Sequence, residues 1–317
     1  MSRMLNIYLS EENGKLQEID SIQKGCWINV LHPTEEEIQY LIETLNVELD
    51  FIRDPLDDEE RSRIEKEDDT TLIIMDIPTV RHGEDGNSTY DTIPIGMIIM
   101  PECFVTICLE ENPIFERFTN QRIKGFYTFK KTRFALQLLY IISTYYLRYL
   151  KQISRKTVDL EKELNKSMKN KEIFTLLGLE KSLVYFATSL KSNKVVIQKL
   201  MRSRSEYLKM YEDDQDLLED VLIENKQAIE MAEIYSNILN GMMTTFSSVI
   251  SNNLNSVMKL LTSITIILSL PTMVASFFGM NVTVPFAGYK HAFGLIMVIA
   301  AALSCTTAVV FWKKRYF

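Results

Sequence analysis

Cysteine is scarce and scattered. Cys26, Cys103, Cys108 and Cys305 are the four in 317 residues, and no two stand in a Cys-x-x-Cys pair, so neither a disulfide framework nor a zinc knuckle is expected. Histidine is scarcer still: His32, His82 and His291 lie in no recognisable catalytic motif, and no glycine-rich phosphate loop appears. A membrane-anchored enzyme therefore has little to stand on. The most informative absence is of acid. Residues 260–317 contain no Asp or Glu and only Lys290, Lys313, Lys314 and Arg315 as cations. The chain holds 35 basic and 42 acidic residues, so the portion before residue 260 carries 31 against 42, a net of −11. Nucleic acid, which needs a basic patch, is not an expected partner. A hydrophobic content of 46% with 24% charged residues also excludes a disordered chain.

What remains is an acidic soluble part joined to an apolar tail. Leu260 to Phe278 is 19 residues without a charge, and Ala292 to Trp312 is another 21. A bilayer core of about 30 Å needs about 20 helical residues, so both runs are long enough to span, with buried core helices as the alternative. Pro271 is tolerated in a spanning helix where neighbouring helices, hydroxyls or water satisfy the carbonyl it frees. Lys259 precedes the first run and Lys313, Lys314 and Arg315 follow the second, while the loop between them holds only Lys290. This basic collar places both termini in the cytoplasm. The N-terminal MSRMLNIYLSEENGK has the pattern of a polar-flanked strand and no signal-peptide core, so the acidic part is expected to be cytosolic.

The fold class expected is an α+β cytosolic domain, then long helices, then two transmembrane α-helices. A hairpin is predicted over Leu5–Leu9 and Leu16–Ile19 around Asn13-Gly14, and a third strand over Cys26–Val30. A helix opens at Pro33-Thr34-Glu35-Glu36-Glu37, with acids where the helix dipole favours them. Thr71–Ile77, Ile93–Met100 and Phe104–Leu109 read as strands. From Pro113 to Phe278 the pattern is helical, with breaks near Gly125, Met168–Lys171 and Tyr211–Asp214. The expected division is an α+β domain over 1–112, cytosolic helices over 113–214, the cytosolic part of a long helix over 215–259, a first span over 260–278, an outer loop over 279–291, a second span over 292–312 and a basic tail over 313–317.

The long helix carries two stripes at three-to-four spacing. Leu218, Val221, Ala228, Met231, Tyr235, Ile238, Met242, Phe246 and Val249 are apolar. Asn237, Asn240, Thr244, Ser247, Ser251, Asn255, Thr262, Thr265, Ser269, Thr272 and Ser276 are small or polar, with Met258 filling the gap, and this stripe enters the first span without changing phase. Polar side chains in a span face other protein or a watery path. Helix–helix contact is one reading; the length of the stripe favours a wet axis. One helix cannot enclose a pore, so a symmetric ring of subunits is implied, with these spans innermost. Met258 and Leu261, on the same face near the cytosolic mouth, form either an apolar constriction that gates by dewetting or a packing contact.

The first span ends in Phe278-Gly279-Met280-Asn281. Gly-Met-Asn there, before a short loop and a second span ending in Lys-Lys-Arg, resembles the CorA family of magnesium channels. Asn255, Met258-Lys259 and Pro271-Thr272 upstream, with Trp27-Ile28-Asn29-Val30 and Arg63-Ile64-Glu65-Lys66 near the N-terminus, extend the likeness over nearly the whole chain. The resemblance implies a funnel-shaped homopentamer in the cell (inner) membrane, Gly279, Met280 and Asn281 as selectivity filter, and Mg²⁺ as both transported ion and regulatory ligand. It also implies a regulatory metal site between Asp54 of one subunit and Asp220 of the next. A solvated acidic face is the plain alternative for Asp220, and Glu212, Asp213, Asp214 and Asp216 fit it as partners of a helix N-terminus. Two departures stand out: residues 282–291 contain no acid, and Arg53 stands beside Asp54.

Independently of the resemblance, neutral oxygens suit Mg²⁺, a hard cation that dehydrates reluctantly. Asn281 offers an amide and a carbonyl at the outer end of the stripe, with Asn255, Thr265, Ser269, Thr272 and Ser276 behind it. The expected function is Mg²⁺ influx, with Co²⁺ or Ni²⁺ as possible further cargo, closed by cytosolic Mg²⁺. The alternative in the same fold is a proton-coupled Zn²⁺, Co²⁺ or Ni²⁺ transporter. Zinc selection favours His or Cys on the path, and the stripe has neither.

Overall fold

The computed structural model describes residues 5–82, 88–166, 170–202, 206–282, 285 and 290–314. The chain divides into two compact units, Met1–Asn240 and Gly241–Phe317.

The first unit is built on a seven-stranded sheet in the order β2-β1-β3-β7-β6-β5-β4. Its strands are β1 Leu5–Ser10, β2 Leu16–Ile19, β3 Cys26–Leu31, β4 Arg63–Glu67, β5 Thr70–His82, β6 Ser88–Ile99 and β7 Cys103–Cys108. β3 and β7 pair in parallel, Cys26 opposite Cys103; the other pairs are antiparallel. Because strand side chains alternate, β3 serves two cores. Ile28 and Val30 join Ile38, Leu41, Phe51 and Ile52 on one face. Those partners come from α1 (Glu35–Leu45) and α2 (Leu49–Arg53). On the other face Trp27 meets Phe134 at 5.1 Å between ring centroids, and its Nε1 donates to Thr106 Oγ1 at 2.8 Å.

The hairpin and the first helix fall where the pattern placed them. Thr34 caps α1 through the Glu37 amide, and the Glu37 side chain returns the bond, forming a capping box. β5 and β6 run longer than their apolar cores. β4, which was not anticipated, has a physical reason to be cryptic. It is an edge strand, Arg-Ile-Glu-Lys-Glu, with Ile64 buried and charges guarding the open side.

α3 (Pro113–Thr119) leads to α4 (Lys131–Lys166) and α5 (Asn170–Arg202). α4 packs on β5 and β6, and α5 on β4, β5 and β6. Among the described residues, three helices are long and apolar enough to cross a membrane: Lys171–Arg202, Glu212–Phe278 and Ala292–Lys313. The first is spent on the sheet, with 39% of its apolar stretch buried against 6% for each of the others. Asn193 ties it there. Its Oδ1 accepts from the Asp76 amide at 2.9 Å and its Nδ2 donates to the Asp76 carbonyl at 2.8 Å.

At this junction, burial pushes the Asp76 carboxyl up to about 6 from 3.8, with hydrogen bonds from Ser189 and Ser62 pulling the other way. A carboxyl raised in the fold contributes stability that is fully present below its unfolded value and is lost as pH rises through the folded one. Asp76→Asn is therefore expected to resist unfolding better than wild type at pH 8, by at most roughly 3 kcal/mol, with the gap closing towards pH 4. Thermal unfolding of the detergent-solubilised chain across that range checks it; equal melting at pH 8 contradicts it.

α6 (Glu212–Phe278) runs from the first unit into the second, followed by α7 (Ala292–Lys313). In the first unit its buried side is Leu218, Val221, Asn225, Ala228, Ala232 and Leu239. Leu218, Val221 and Ala228 of the apolar stripe read from sequence lie on this side, and further along the phase drifts to Ala232 and Leu239. Ile238 is 51% exposed, while Asn225 is buried because its Nδ2 donates to the Leu190 carbonyl at 3.1 Å.

Candidate functional site

In the second unit, the membrane-facing part of α6 has two unlike sides. Ser263 is buried and Ile267, Leu270, Pro271 and Val274 are half-buried, on the side that meets α7. Asn255, Met258, Leu261, Thr262, Thr265, Ser269, Thr272 and Ser276 are exposed. At 3.6 residues per turn the second set lies almost opposite the first. The polar stripe thus lies on the wide side of α6 that its own chain leaves uncovered, flanked by exposed Ile264, Leu268 and Met273. Lys259 is exposed beside it, and Lys313 and Lys314 end α7; Arg315 lies outside the described residues.

The hydroxyls on this side share a habit. Thr265 Oγ1 donates to the Leu261 carbonyl at 2.8 Å, Ser269 Oγ to Ile266 at 2.9 Å and Thr272 Oγ1 to Leu268 at 3.4 Å. Each hydroxyl has one hydrogen and two lone pairs. With the hydrogen committed to the helix, what faces outward is an acceptor. That suits a hydrated cation, whose waters point their hydrogens outward.

α6 stops at Phe278, and the Gly279 amide still bonds the Ala275 carbonyl at 2.9 Å. A Cβ on Gly279 would lie 3.2 Å from that carbonyl oxygen, a close approach that glycine relieves. Met280 and Asn281 follow on the turn, both exposed. The acid-free outer loop falls largely on residues 283–284 and 286–289, outside the described residues.

In the first unit, Asp54 opens a short 3₁₀ turn, Asp54–Leu56, directly after α2. The turn sits on the sheet because β6 has Gly96 beneath it: a Cβ there would come within 2.3 Å of Pro55 Cγ. Arg53, the neighbour that drew attention in the sequence, points away to Glu35 at 2.9 Å. The cation on Asp54 is Arg63 from β4. Its guanidinium also meets Glu60, and Glu65 at 2.8 Å. Burial pulls the Arg63 pKa down, but Glu65, Glu60 and its hydrogen bonds raise it overall. Sequence reading missed this arginine as a functional group; the signal was its place among the acids that run from Asp54 to Glu65.

Asp220 is exposed on α6. Asp214 is not the solvated acid expected, since it is buried and bonded to Arg133 Nη1 at 3.1 Å and to the Tyr211 amide at 3.2 Å. Among the described residues no group of three or more His, Cys, Asp or Glu within the chain is placed to hold a metal.

A family profile described as CorA-like Mg²⁺ transporter protein matches residues 23–315. The cobalt/magnesium transport protein CorA of Methanocaldococcus jannaschii is 27% identical over 330 residues, spanning 99% of this chain and 100% of that one. The complete structure of the CorA magnesium transporter from the same organism superposes with a TM-score of 0.86 at 24% identity over 100% of both chains. That of the full-length CmaX protein does so at 0.74 and 16% identity, over 99% of each. The fold and the two apolar C-terminal helices agree with this match along nearly the whole length: the chain belongs to the CorA family, membrane proteins that transport divalent cations.

Proposed function

We propose that this chain is the subunit of a Mg²⁺ influx channel in the cell (inner) membrane, both termini cytoplasmic, assembled as a homopentamer around the polar side of α6. The observation that carries the proposal is the exposed polar stripe from Asn255 to Ser276, in which Thr265, Ser269 and Thr272 turn acceptors outward, leading to Gly279-Met280-Asn281. Five such faces around an axis enclose a path that suits a hydrated ion. Asn281 holds the ion at the outer end by its amide and carbonyl oxygens, and Met258 and Leu261 narrow the cytosolic mouth. Regulation follows from Asp54 of one subunit and Asp220 of the next sharing a divalent ion that holds the ring closed. Since Asp54 is paired with Arg63, that ion must compete with a guanidinium.

Flux into proteoliposomes compared for Mg²⁺, Co²⁺, Ni²⁺ and Zn²⁺, with and without a proton gradient, tests the proposal. Mg²⁺ entry indifferent to the gradient supports it; Zn²⁺ entry that requires the gradient replaces it with a proton-coupled transporter.

The path itself is open to labelling. Cys26, Cys103 and Cys108 are buried, and burial pushes Cys103 up to about 12 and Cys108 up to about 11. Removing exposed Cys305 therefore leaves a quiet background. Single cysteines at Thr265, Ser269, Thr272 and Ser276 are expected to react with a small water-soluble thiol reagent in membranes, and those at Ile264, Ile267 and Val274 to resist it. Equal reaction of the two sets would mean that the stripe is a packing seam.

A further inference from the structure

Pro271 has no amide hydrogen, so the carbonyl four residues before it, that of Ile267, loses its partner within α6, and the pyrrolidine ring crowds it further. In an apolar setting an unpaired carbonyl is costly. The structure supplies a donor from the other helix: Ser304 Oγ on α7 reaches the Ile267 carbonyl at 3.5 Å. Its neighbours on α7 behave differently. Thr306 Oγ1 donates to Ala302 at 2.7 Å and Thr307 Oγ1 to Leu303 at 2.9 Å, both within α7. A helical serine ordinarily does the same. Ser304 instead crosses to the one carbonyl that Pro271 leaves open.

We propose that Ser304 is a positioning residue for ion passage: by taking the Ile267 carbonyl it fixes α6 against α7 at Pro271 and keeps Thr272 and Ser276 in line with Thr265 and Ser269. The proposal rests on the reading that this stripe lines the path. Without the bond, the two halves of the stripe are joined only by a helix turn that lacks a rung.

The test is a cycle of full-length proteins in proteoliposomes: wild type, Ser304→Ala, Pro271→Ala and the double variant, with Ser304→Thr as the conservative change. Ser304→Ala is expected to lower the Mg²⁺ uptake rate about twofold, the lower end for one hydrogen bond, since this one is long at 3.5 Å, with assembly intact by size-exclusion chromatography. Ser304→Thr keeps a hydroxyl and is expected to retain uptake. In the Pro271→Ala background the amide of residue 271 occupies the Ile267 carbonyl, so Ser304→Ala is expected to cost nothing further. Uptake unchanged in Ser304→Ala, or the same loss in both backgrounds, overturns the proposal.

Thermal unfolding of the same proteins reads the bond without reference to ions. Coupling between the two sites in melting but not in uptake overturns the positioning role and leaves a structural contact. If melting is coupled but cysteines at Thr265 and Ser269 do not label, it is the path that fails and not the bond, and the role in ion passage falls with it.

Discussion

Asn281→Ala is expected to reduce Mg²⁺ uptake by roughly ten- to a hundredfold while the assembly persists. The size follows from hydrogen bonds to charged species, which are worth about 1.5–3 kcal/mol each. Asn281 sits exposed on the turn after α6 and carries the only side-chain amide in the Gly279-Met280-Asn281 segment. Replacing it removes the side-chain oxygen but leaves the backbone carbonyl. Because the change touches no buried contact, a correctly assembled protein should be recovered, and isotope or dye uptake into proteoliposomes then reads the site alone. Wild-type uptake would mean that the outer end of the path selects by some other group.

The second large effect concerns closure. Each chain carries −11 before residue 260, and copies gathered around an axis repel wherever their charges approach within the Debye length of about 8 Å. In the proposed ring, a divalent ion between Asp54 and Asp220 of adjacent chains would turn this repulsion into attraction. Binding to the closed form must be the tighter, or the ion could not shift the balance. Asp220→Asn preserves the shape of α6 and removes one ligand charge. It is expected to raise the internal Mg²⁺ needed for half-closure by roughly tenfold or more. The companion variant moves the other way: Arg63→Gln frees Asp54 from its guanidinium and is expected to bring closure at about fivefold lower Mg²⁺, on the scale of one partly exposed ion pair. Current or flux measured as internal Mg²⁺ rises decides both. Closure of Asp220→Asn over the wild-type range would leave Asp220 as surface charge.

Much of this was legible because it follows from a period or an absence. Two charge-free runs of spanning length need no tertiary information, nor does a polar stripe that keeps its phase from Asn237 to Ser276. The turn at Asn13-Gly14 and the opening of α1 after Pro33-Thr34 are local chemistry, and both sit where the sequence put them. What escaped depended on partners distant in the chain. The inward side of α6 is set by what α5 offers, so Asn225 is buried on a carbonyl of Leu190 while apolar Ile238 is left out. α5 is apolar enough to pass for a span, and only its packing on β4–β6 assigns it to the sheet. Asp54 was singled out through the family resemblance, but the arginine paired with it comes from an edge strand that hides among charges.

The hydroxyls along α6 spend their hydrogens on their own helix, and this has a bearing on which ions are refused. A hydrated cation shows hydrogens to its surroundings, and a wall of lone pairs receives them. Hydrated chloride shows the opposite face, because its waters turn their hydrogens inward and present oxygen. Along the stretch of Thr265, Ser269 and Thr272, whose hydroxyls have no hydrogen left to give, that shell finds no partner and must be shed or distorted. A path lined in this way discriminates by the sign of the ion through the orientation of its water, with no carboxylate from residue 260 onward. With the stripe lining the path as proposed, the tail would disfavour anions there without a fixed negative charge that would trap a divalent ion.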